Sequence, residues 1–177
     1  MKNKMLLIVS VIILLFVALY FVNNYKNKQA LEIGENPYGK EELRQETIDQ
    51  LNDPLYQNII VPDELDEKLA NGEDITVYYY SPTCVHCQNT TPIVVPLVEE
   101  LGIDLKKMNL LEFDKMDYYQ IEGTPTIIHY EDGEEVVRAV GSEPTVIEKD
   151  GTVVEMSELE TNPEDMFQEF FEEYVLN

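Results

Sequence analysis

The longest apolar run of the chain lies near its start, from Met5 to Val22, and contains no charged residue. Apart from the hydroxyls of Ser10 and Tyr20, every side chain in this run is apolar. Its eighteen residues, rising about 1.5 Å each, span about 27 Å, close to a bilayer core of about 30 Å. Lysines flank the run on both sides: Lys2, Lys4, Lys26 and Lys28. Residues 1–28 are therefore predicted to form one transmembrane helix, with a cleaved signal peptide as the alternative.

Residues 29–57 form a polar stretch that contains two glycines and two prolines. They are predicted to be a spacer that lifts the rest of the chain away from the membrane. A sparse apolar stripe within the stretch predicts a short helix over Lys40–Leu51. The remaining residues, 58–177, are predicted to form one folded domain.

The first part of this domain alternates strand and helix patterns. Ile75 to Tyr80 is β-branched or aromatic throughout, which is typical of a central strand buried on both faces. The next helix is predicted over Cys84–Leu101, with kinks at Pro92 and Pro96. The other predicted elements are a short strand over Asn58–Val61, a helix that starts at Pro62 and stops at Gly72, a parallel strand over Ile103–Asn109 and a weak helix over Leu110–Ile121.

Hairpin patterns dominate the second part of the domain. Strands over Thr126–Tyr130 and Val136–Val140 are joined by a three-residue turn that ends in glycine. An extra hairpin is predicted over Thr145–Met156. Asn162 then caps a final helix whose first turn contains Pro163. This order of elements predicts an α/β fold with a central mixed β-sheet flanked by helices.

Charge divides the chain at the end of the apolar segment. The first 28 residues hold no acid, whereas the others hold all 35 acidic residues and 8 of the 12 basic ones. Their formal charge, 8 minus 35, is −27, which excludes nucleic acid as a partner because phosphate contacts require Lys and Arg. The short N-terminus with its lysines favours the cytoplasmic side. We therefore expect a single-pass protein of a bacterial cell membrane, with its acidic domain outside the cytoplasm.

The two cysteines of the chain stand together as Cys84-Val85-His86-Cys87, shortly after the predicted central strand. At a helix start, Cys84 faces unpaired backbone N–H groups and the positive end of the helix dipole, which favour a thiolate. We expect the imidazole of His86 to donate to that thiolate or, when protonated, to pair with it. A more stable thiolate makes the disulfide form more oxidising. The predicted chemistry is formation of a mixed disulfide at Cys84 and its resolution by the more buried Cys87.

Two cysteines at this spacing also allow other interpretations. Structural zinc prefers four ligands, and His86 and His129 are the only histidines in the sequence. A copper-delivery domain is a further alternative. So is a purely structural disulfide, although a four-residue loop gains little chain-entropy stabilisation. We expect no cofactor and no resident metal.

From about Asn58 to Asn177 the sequence resembles the thioredoxin superfamily. A dithiol follows a hydrophobic strand, and Pro92 lies eight residues past the first cysteine. Gly123–Thr126 resembles the cis-proline loop of the family, and its proline lies 38 residues past the second cysteine. Two glycines, Gly133 and Gly141, lie 8 and 16 residues past that proline. The resemblance implies a thioredoxin-like fold over residues 58–177.

The same resemblance implies which residues surround the dithiol. Thr124–Pro125 should be a cis peptide beside it, with Pro125 among the catalytic residues. The backbone of Thr124 would then be open for pairing with an extended substrate strand. Pro82 and Thr83, in the turn before the dithiol, are the other candidate substrate-binding residues.

Several positions depart from the pattern of cytosolic thioredoxins. Those proteins have Trp before the first cysteine, where this chain has Thr83. Their buried acid, six residues before that cysteine, is Tyr78 here, which argues against efficient reduction of substrates. His86 before the second cysteine resembles DsbA-type oxidases, and Thr124 before the cis-proline resembles some isomerases.

The leading hypothesis is a disulfide oxidase or isomerase that acts on cysteine-containing secreted or membrane proteins. It would exchange electrons with a redox partner protein and remain attached to the membrane through its N-terminal helix. One alternative is a dithiol reductase that serves cytochrome maturation or a bacteriocin accessory system. Another is a binding module that keeps the fold without the chemistry.

Overall fold

The computed structural model describes residues 2–33, 36–154 and 162–176 of the chain. Its contacts divide the chain into two units, with the boundary between Asn36 and Pro37. Among the described residues, the first unit is one helix and the second holds all the strands.

The first unit is α1 (Lys2–Ile33). Its segment Lys4–Val22 is long and apolar enough to cross a membrane, with a mean hydropathy of 3.1. The helix continues to Ile33, beyond the predicted end of the anchor at residue 28. No glycine or proline interrupts the sequence before residue 34, so the helix can extend into the segment that was predicted as spacer.

A six-stranded mixed sheet organises the second unit, in the order β2-β1-β3-β4-β5-β6. β1 and β2 are parallel, and every other neighbouring pair is antiparallel. The strands are β1 (Ile75–Tyr80), β2 (Leu105–Asn109), β3 (Thr126–Glu131), β4 (Glu134–Val140), β5 (Thr145–Glu148) and β6 (Val153–Val154). The predicted mixed sheet is confirmed.

In the described part of the second unit, four helices and one 3₁₀ turn accompany this sheet: α2 (Gln45–Gln50), the 3₁₀ turn Pro54–Tyr56, α3 (Pro62–Ala70), α4 (Val85–Leu101) and α5 (Pro163–Tyr174). The ends of two of them follow from local sequence. The Asn162 side chain accepts a hydrogen bond from the Glu164 N–H at the start of α5. Gly102 ends α4 with φ 72°, in the left-handed region that favours glycine.

β1 separates two hydrophobic cores because its side chains alternate between the faces of the sheet. Tyr78 and Tyr80 lie in the core that contains residues of α4 and α5. Val77 and Tyr79 lie in the other core, together with Leu65 of α3. Helices therefore cover both faces, and all six residues of β1 are buried, as the pattern of the strand predicts.

The second unit begins at Pro37, rather than at the predicted boundary of residue 58. Polar contacts explain why the intervening segment packs on the domain. The Asn109 side chain donates to the Tyr38 hydroxyl at 3.4 Å and to the Thr47 hydroxyl at 3.1 Å. The Glu112 side chain is 3% exposed, pairs with the Lys40 ammonium and accepts the Arg44 N–H at 2.8 Å.

Two predicted elements are not formed as expected. The strand predicted over Asn58–Val61 is a single bridge between Ile59 and Lys107, because Asn58 adopts φ 65° and uses its side chain to bind Leu105. The helix predicted over Leu110–Ile121 is a series of turns. There the Asn109 side chain accepts the Leu111 N–H at 3.0 Å, which offers the backbone an alternative to a helix.

The extra hairpin widens the sheet. β5 pairs with β4, and β6 pairs with β5, so the hairpin adds two strands beyond β4. Its predicted second strand extended to Met156, but residues 155 and 156 lie outside the described residues. The hairpin therefore covers the edge of β4 that would otherwise be open.

Candidate active site

The turn between β1 and α4 fixes how the dithiol enters the helix. The Cys84 N–H donates to the Ser81 carbonyl at 3.0 Å, and the Ser81 and Thr83 hydroxyls are 3.0 Å apart. The Gln88 side chain donates to the Pro82 carbonyl at 2.8 Å. Cys84 is consequently held in an extended conformation as the N-cap residue of α4.

The sulfur of Cys84 links the start of α4 to the loop before β3. Its Sγ accepts the Cys87 N–H at 3.4 Å and donates to the Thr124 carbonyl oxygen at 3.2 Å. The Thr124–Pro125 peptide bond is cis. Cys87 is buried, whereas Cys84 is partly exposed, and both are free thiols. The fold thus brings together the dithiol and the loop that contains Pro125.

The two thiols have pKa values shifted in opposite directions. Burial alone would raise the pKa of Cys84, but hydrogen bonds with the side chains of Thr124 and Cys87 and with the backbone N–H groups of Cys87 and His86 outweigh it. The net pKa of Cys84 is therefore below its ordinary value. Burial raises the pKa of Cys87 to about 12, although hydrogen bonds with Ser81 and Thr124 oppose the shift. At neutral pH Cys87 stays protonated, and Cys84 ionises more readily.

The ring of His86 is turned towards Ser142 in the segment after β4. Its Nδ1 lies 3.2 Å from the Ser142 Oγ. His86 lowers the pKa of Cys84 through its backbone N–H. This departs from the expected contact between imidazole and sulfur, because the fold supplies a hydroxyl partner from 56 residues further along the chain.

A buried pair of hydroxyls lies behind Cys87. The Tyr78 hydroxyl is 3.1 Å from the Thr91 Oγ1, which donates to the Cys87 carbonyl at 2.8 Å. Burial raises the pKa of Tyr78 well above its ordinary value, and the nearby Cys87 adds to the shift. Tyr78 is therefore neutral at neutral pH, at the position where thioredoxins have a buried acid, and it cannot accept the Cys87 proton.

The remaining candidates differ in exposure, and two contacting residues were missed from the sequence. Pro82 is buried and Thr83 is exposed, so only Thr83 has an open side chain. Thr91 could have been found, because it lies four residues after Cys87 on the same face of a predicted helix. Ser142 gave no local signal, since only the packing of the β4–β5 turn brings it to the ring of His86.

The second histidine, His129, contacts a residue of β1 and not the dithiol. His129 is part of β3, and its Nδ1 is 2.9 Å from the Thr76 Oγ1. Within residues 2–33, 36–154 and 162–176, no group of three or more His, Cys, Asp or Glu side chains is arranged to hold a metal ion.

Comparison with known proteins agrees with this arrangement of dithiol and cis-proline loop. The family model described as thioredoxin matches residues 57–150, which is more than half of the chain. The chain belongs to the thioredoxin family. The match includes the dithiol, the cis-proline loop and β5.

Individual relatives come from two kinds of protein. A thioredoxin from Chlamydia pneumoniae is 34% identical over 85 residues, which are 47% of this chain and 82% of that protein. Protein disulfide-isomerase A3 from Gallus gallus is 31% identical over 93 residues, which are 50% of this chain. The chain spans only 18% of the length of that isomerase.

Solved thioredoxin structures are also similar to part of the chain. The oxidized form of mitochondrial thioredoxin 3 from Saccharomyces cerevisiae aligns with a TM-score of 0.42 and 16% identity. The alignment covers 48% of this chain and 82% of that structure.

Proposed function

We propose that this protein is a membrane-anchored thiol–disulfide oxidoreductase that acts on cysteine-containing proteins outside the cytoplasm. The direction of exchange that the site favours is disulfide formation or isomerisation. The observation that carries the proposal is the contrast between the two sulfurs. Cys84 is partly exposed, beside the Thr124 carbonyl and with a lowered pKa, whereas Cys87 is buried with a pKa of about 12.

This contrast supports a defined order of steps in oxidation. A substrate thiolate attacks Sγ of Cys84 in the Cys84–Cys87 disulfide, and Cys87 leaves and takes up a proton. A second substrate thiolate attacks the substrate sulfur of the mixed disulfide, and Cys84 leaves as a thiolate. The substrate has then lost two electrons and two protons and gained a disulfide. Cys84 is a good leaving group because its thiolate is stabilised.

A redox partner must complete the cycle. After oxidising a substrate, the protein holds a dithiol and has gained two electrons. A partner protein with a more oxidising disulfide would accept them and restore the Cys84–Cys87 disulfide. Isomerisation needs no partner in each turnover, because the Cys84 thiolate attacks a substrate disulfide and is released at the end.

The cis-proline loop is the proposed docking site for substrate. Thr124 has a half-buried side chain, and its backbone carbonyl faces the Cys84 sulfur. An extended substrate segment paired with this backbone would bring its own cysteine to Cys84. Pro125 would shape the loop, and the exposed Thr83, next to Cys84 in the chain, would contact the substrate. Buried Pro82 would support that turn through the hydrogen bond from Gln88.

The reductase alternative is disfavoured by the group behind Cys87. A reductant must activate its second cysteine to attack the mixed disulfide, and a nearby base assists that step. Tyr78 is neutral here and is hydrogen-bonded to Thr91. The site therefore supports slow resolution by Cys87 and favours release of Cys84 by a substrate thiol.

The redox potential of the full chain in detergent, measured against glutathione, tests the direction. We expect a value close to that of DsbA, about −120 mV, or of protein disulfide isomerase, about −180 mV. A value near that of thioredoxin, about −270 mV, would identify a reductant instead.

Trapping with Cys87→Ala should accumulate mixed disulfides on Cys84, whereas the matched Cys84→Ala variant should accumulate none. If neither variant traps a protein and the wild type does not exchange with glutathione, an exchange role is excluded and the binding-module alternative stands.

A further inference from the structure

The turn from Gly141 to Pro144, which joins β4 to β5, contacts both halves of the active site. The Gly141 N–H donates to the carbonyl of Pro125 at 2.9 Å, immediately after the cis peptide bond. The Ser142 Oγ lies 3.2 Å from Nδ1 of His86, in the first turn of α4. The connection to the extra hairpin is therefore part of the rim of the dithiol.

Several features hold this turn in one position. Gly141 has a φ of 99°, in the region that side-chain-bearing residues rarely adopt. Pro144 is buried, and the strands on either side of the turn pair at Val140 and Thr145. Val146 of β5 is fully buried in the core that also contains residues of α4 and α5. The extra hairpin thus fixes the place from which Ser142 reaches the ring.

The ring of His86 has a second possible partner within reach. Cys84 is the N-cap of α4 and its sulfur accepts the Cys87 N–H at 3.4 Å, so His86 lies in the same helical turn as that sulfur. Rotation about two side-chain bonds can therefore bring the imidazole towards it. There it would stabilise the thiolate by a hydrogen bond or, when protonated, by its charge. In the structure the Ser142 hydroxyl holds the ring instead.

We propose that Ser142 is a positioning residue that holds the His86 imidazole on the β4–β5 turn and thereby limits how oxidising the dithiol is. The extra hairpin is then the element that sets the redox potential, through one hydroxyl. This inference rests on the thiol–disulfide exchange proposed above. It concerns the magnitude of the redox potential, whereas the proposed function concerns whether the protein oxidises or reduces its substrates.

The relevant equilibrium can be written with glutathione as the co-reactant. The Cys84–Cys87 disulfide and two glutathione thiols give the Cys84/Cys87 dithiol and one glutathione disulfide. One disulfide bond breaks and one forms, and two electrons and two protons pass to the protein. Any interaction that stabilises the Cys84 thiolate moves this equilibrium towards the dithiol.

The experiment measures this equilibrium constant for the full chain and for Ser142→Ala. Loss of the hydroxyl should free the ring and raise the constant about tenfold, which corresponds to about 30 mV for two electrons. Ser142→Val also removes the hydroxyl and should shift the constant in the same direction. Ser142→Thr keeps a hydroxyl and should stay within about twofold of the wild type. Glu143→Gln is the matched control on the same turn and should also stay within that range.

A double-mutant cycle decides whether the effect passes through the ring. In a His86→Ala background, Ser142→Ala should change the constant by less than about twofold. An equal shift with and without His86 would overturn the positioning role, as would an unchanged constant in both hydroxyl-free variants. These outcomes differ from failure of the proposed function, in which the wild-type protein itself has the potential of a reductant or does not exchange with glutathione.

Discussion

Cys84 and Cys87 are separated by two residues, yet the fold gives their thiols opposite properties. Backbone N–H groups at the start of a helix are available to Cys84 because the helix itself has no acceptor for them. Cys87 lies one turn further along and is buried in the core with Val94 and Tyr78. The asymmetry therefore arises from Thr124 and the backbone N–H groups of the first turn of α4, which lower the pKa of Cys84, and from burial, which raises the pKa of Cys87.

Alkylation of the reduced protein by iodoacetamide should follow this asymmetry. The reactive form is the thiolate, and an ordinary cysteine with a pKa of about 8.5 has about eightfold less thiolate at pH 7 than at pH 8. Because the pKa of Cys84 is lowered, its rate should fall by less than about eightfold between pH 8 and pH 7. Cys84→Ser should leave only slow modification of Cys87, since its pKa of about 12 keeps it protonated. A fall of about eightfold or more for Cys84 would contradict the lowered pKa.

Tyr78→Phe tests whether the residue behind Cys87 serves the chemistry or the packing. The variant keeps the buried ring and removes the hydroxyl that bonds Thr91. We expect a loss of about 1 kcal/mol in the free energy of unfolding, the net contribution of one hydrogen bond, measured by urea denaturation. The rate of exchange with glutathione should stay within about twofold, because a neutral phenol accepts no proton. Tyr118→Phe, on an exposed tyrosine, is the matched control for stability. A tenfold slower exchange in Tyr78→Phe would show that the Tyr78 hydroxyl takes part in catalysis.

Elements whose signals are local were predictable from the sequence, and those that depend on distant partners were not. β1 has a continuous β-branched and aromatic run, and α5 begins with an Asn–Pro pair, so both were assigned with their observed starts. The segment from Pro37 to residue 57 looked like a linker because its buried side chains are few. Tyr38 and Thr47 are nevertheless buried, through contacts with Asn109 more than 60 residues away.

The site shows the same division. Its dithiol, its cis-proline loop and the helix start were predictable because each is a short motif. The orientation of the His86 ring was not, because its hydroxyl partner comes from the β4–β5 turn. The sequence pattern indicated the extra hairpin, but only its pairing with β4 places Ser142 beside α4.

Substitution in the segment that precedes α3 should show that it is part of the folded domain. Tyr38 is 5% exposed and contacts Tyr80 and Asn109 through its hydroxyl. Tyr38→Ala should lower the free energy of unfolding by about 3 kcal/mol, as for other buried aromatic residues. The exposed neighbour Glu41 gives the control, and Glu41→Ala should change stability by less than about 0.5 kcal/mol. Equal and small effects of both substitutions would mean that this segment is a spacer.

The whole chain combines an apolar helix with a strongly acidic domain, and this combination bears on where the dithiol works. The formal net charge is −23, and every acidic residue lies beyond the apolar segment Lys4–Val22. A domain of this charge is repelled by anionic lipid headgroups, so attachment to a membrane would depend on the α1 segment alone. Substrates that approach the dithiol would meet a surface that favours neutral or basic segments.

The proposed anchoring and orientation can be tested together in intact bacterial cells. After the cells are treated with a reductant to open the Cys84–Cys87 disulfide, a membrane-impermeant maleimide added from outside should label the full chain at Cys84, and the protein should resist extraction at alkaline pH. Ile12→Lys places a charge in the middle of the span, at a cost of about 3 kcal/mol for insertion, and should reduce the membrane-bound fraction. Cys84→Ser should abolish labelling, because Cys87 is buried. Labelling that requires lysis of the cells would place the dithiol in the cytoplasm, where a reducing thiol pool would hold it as a dithiol and an oxidase could not work.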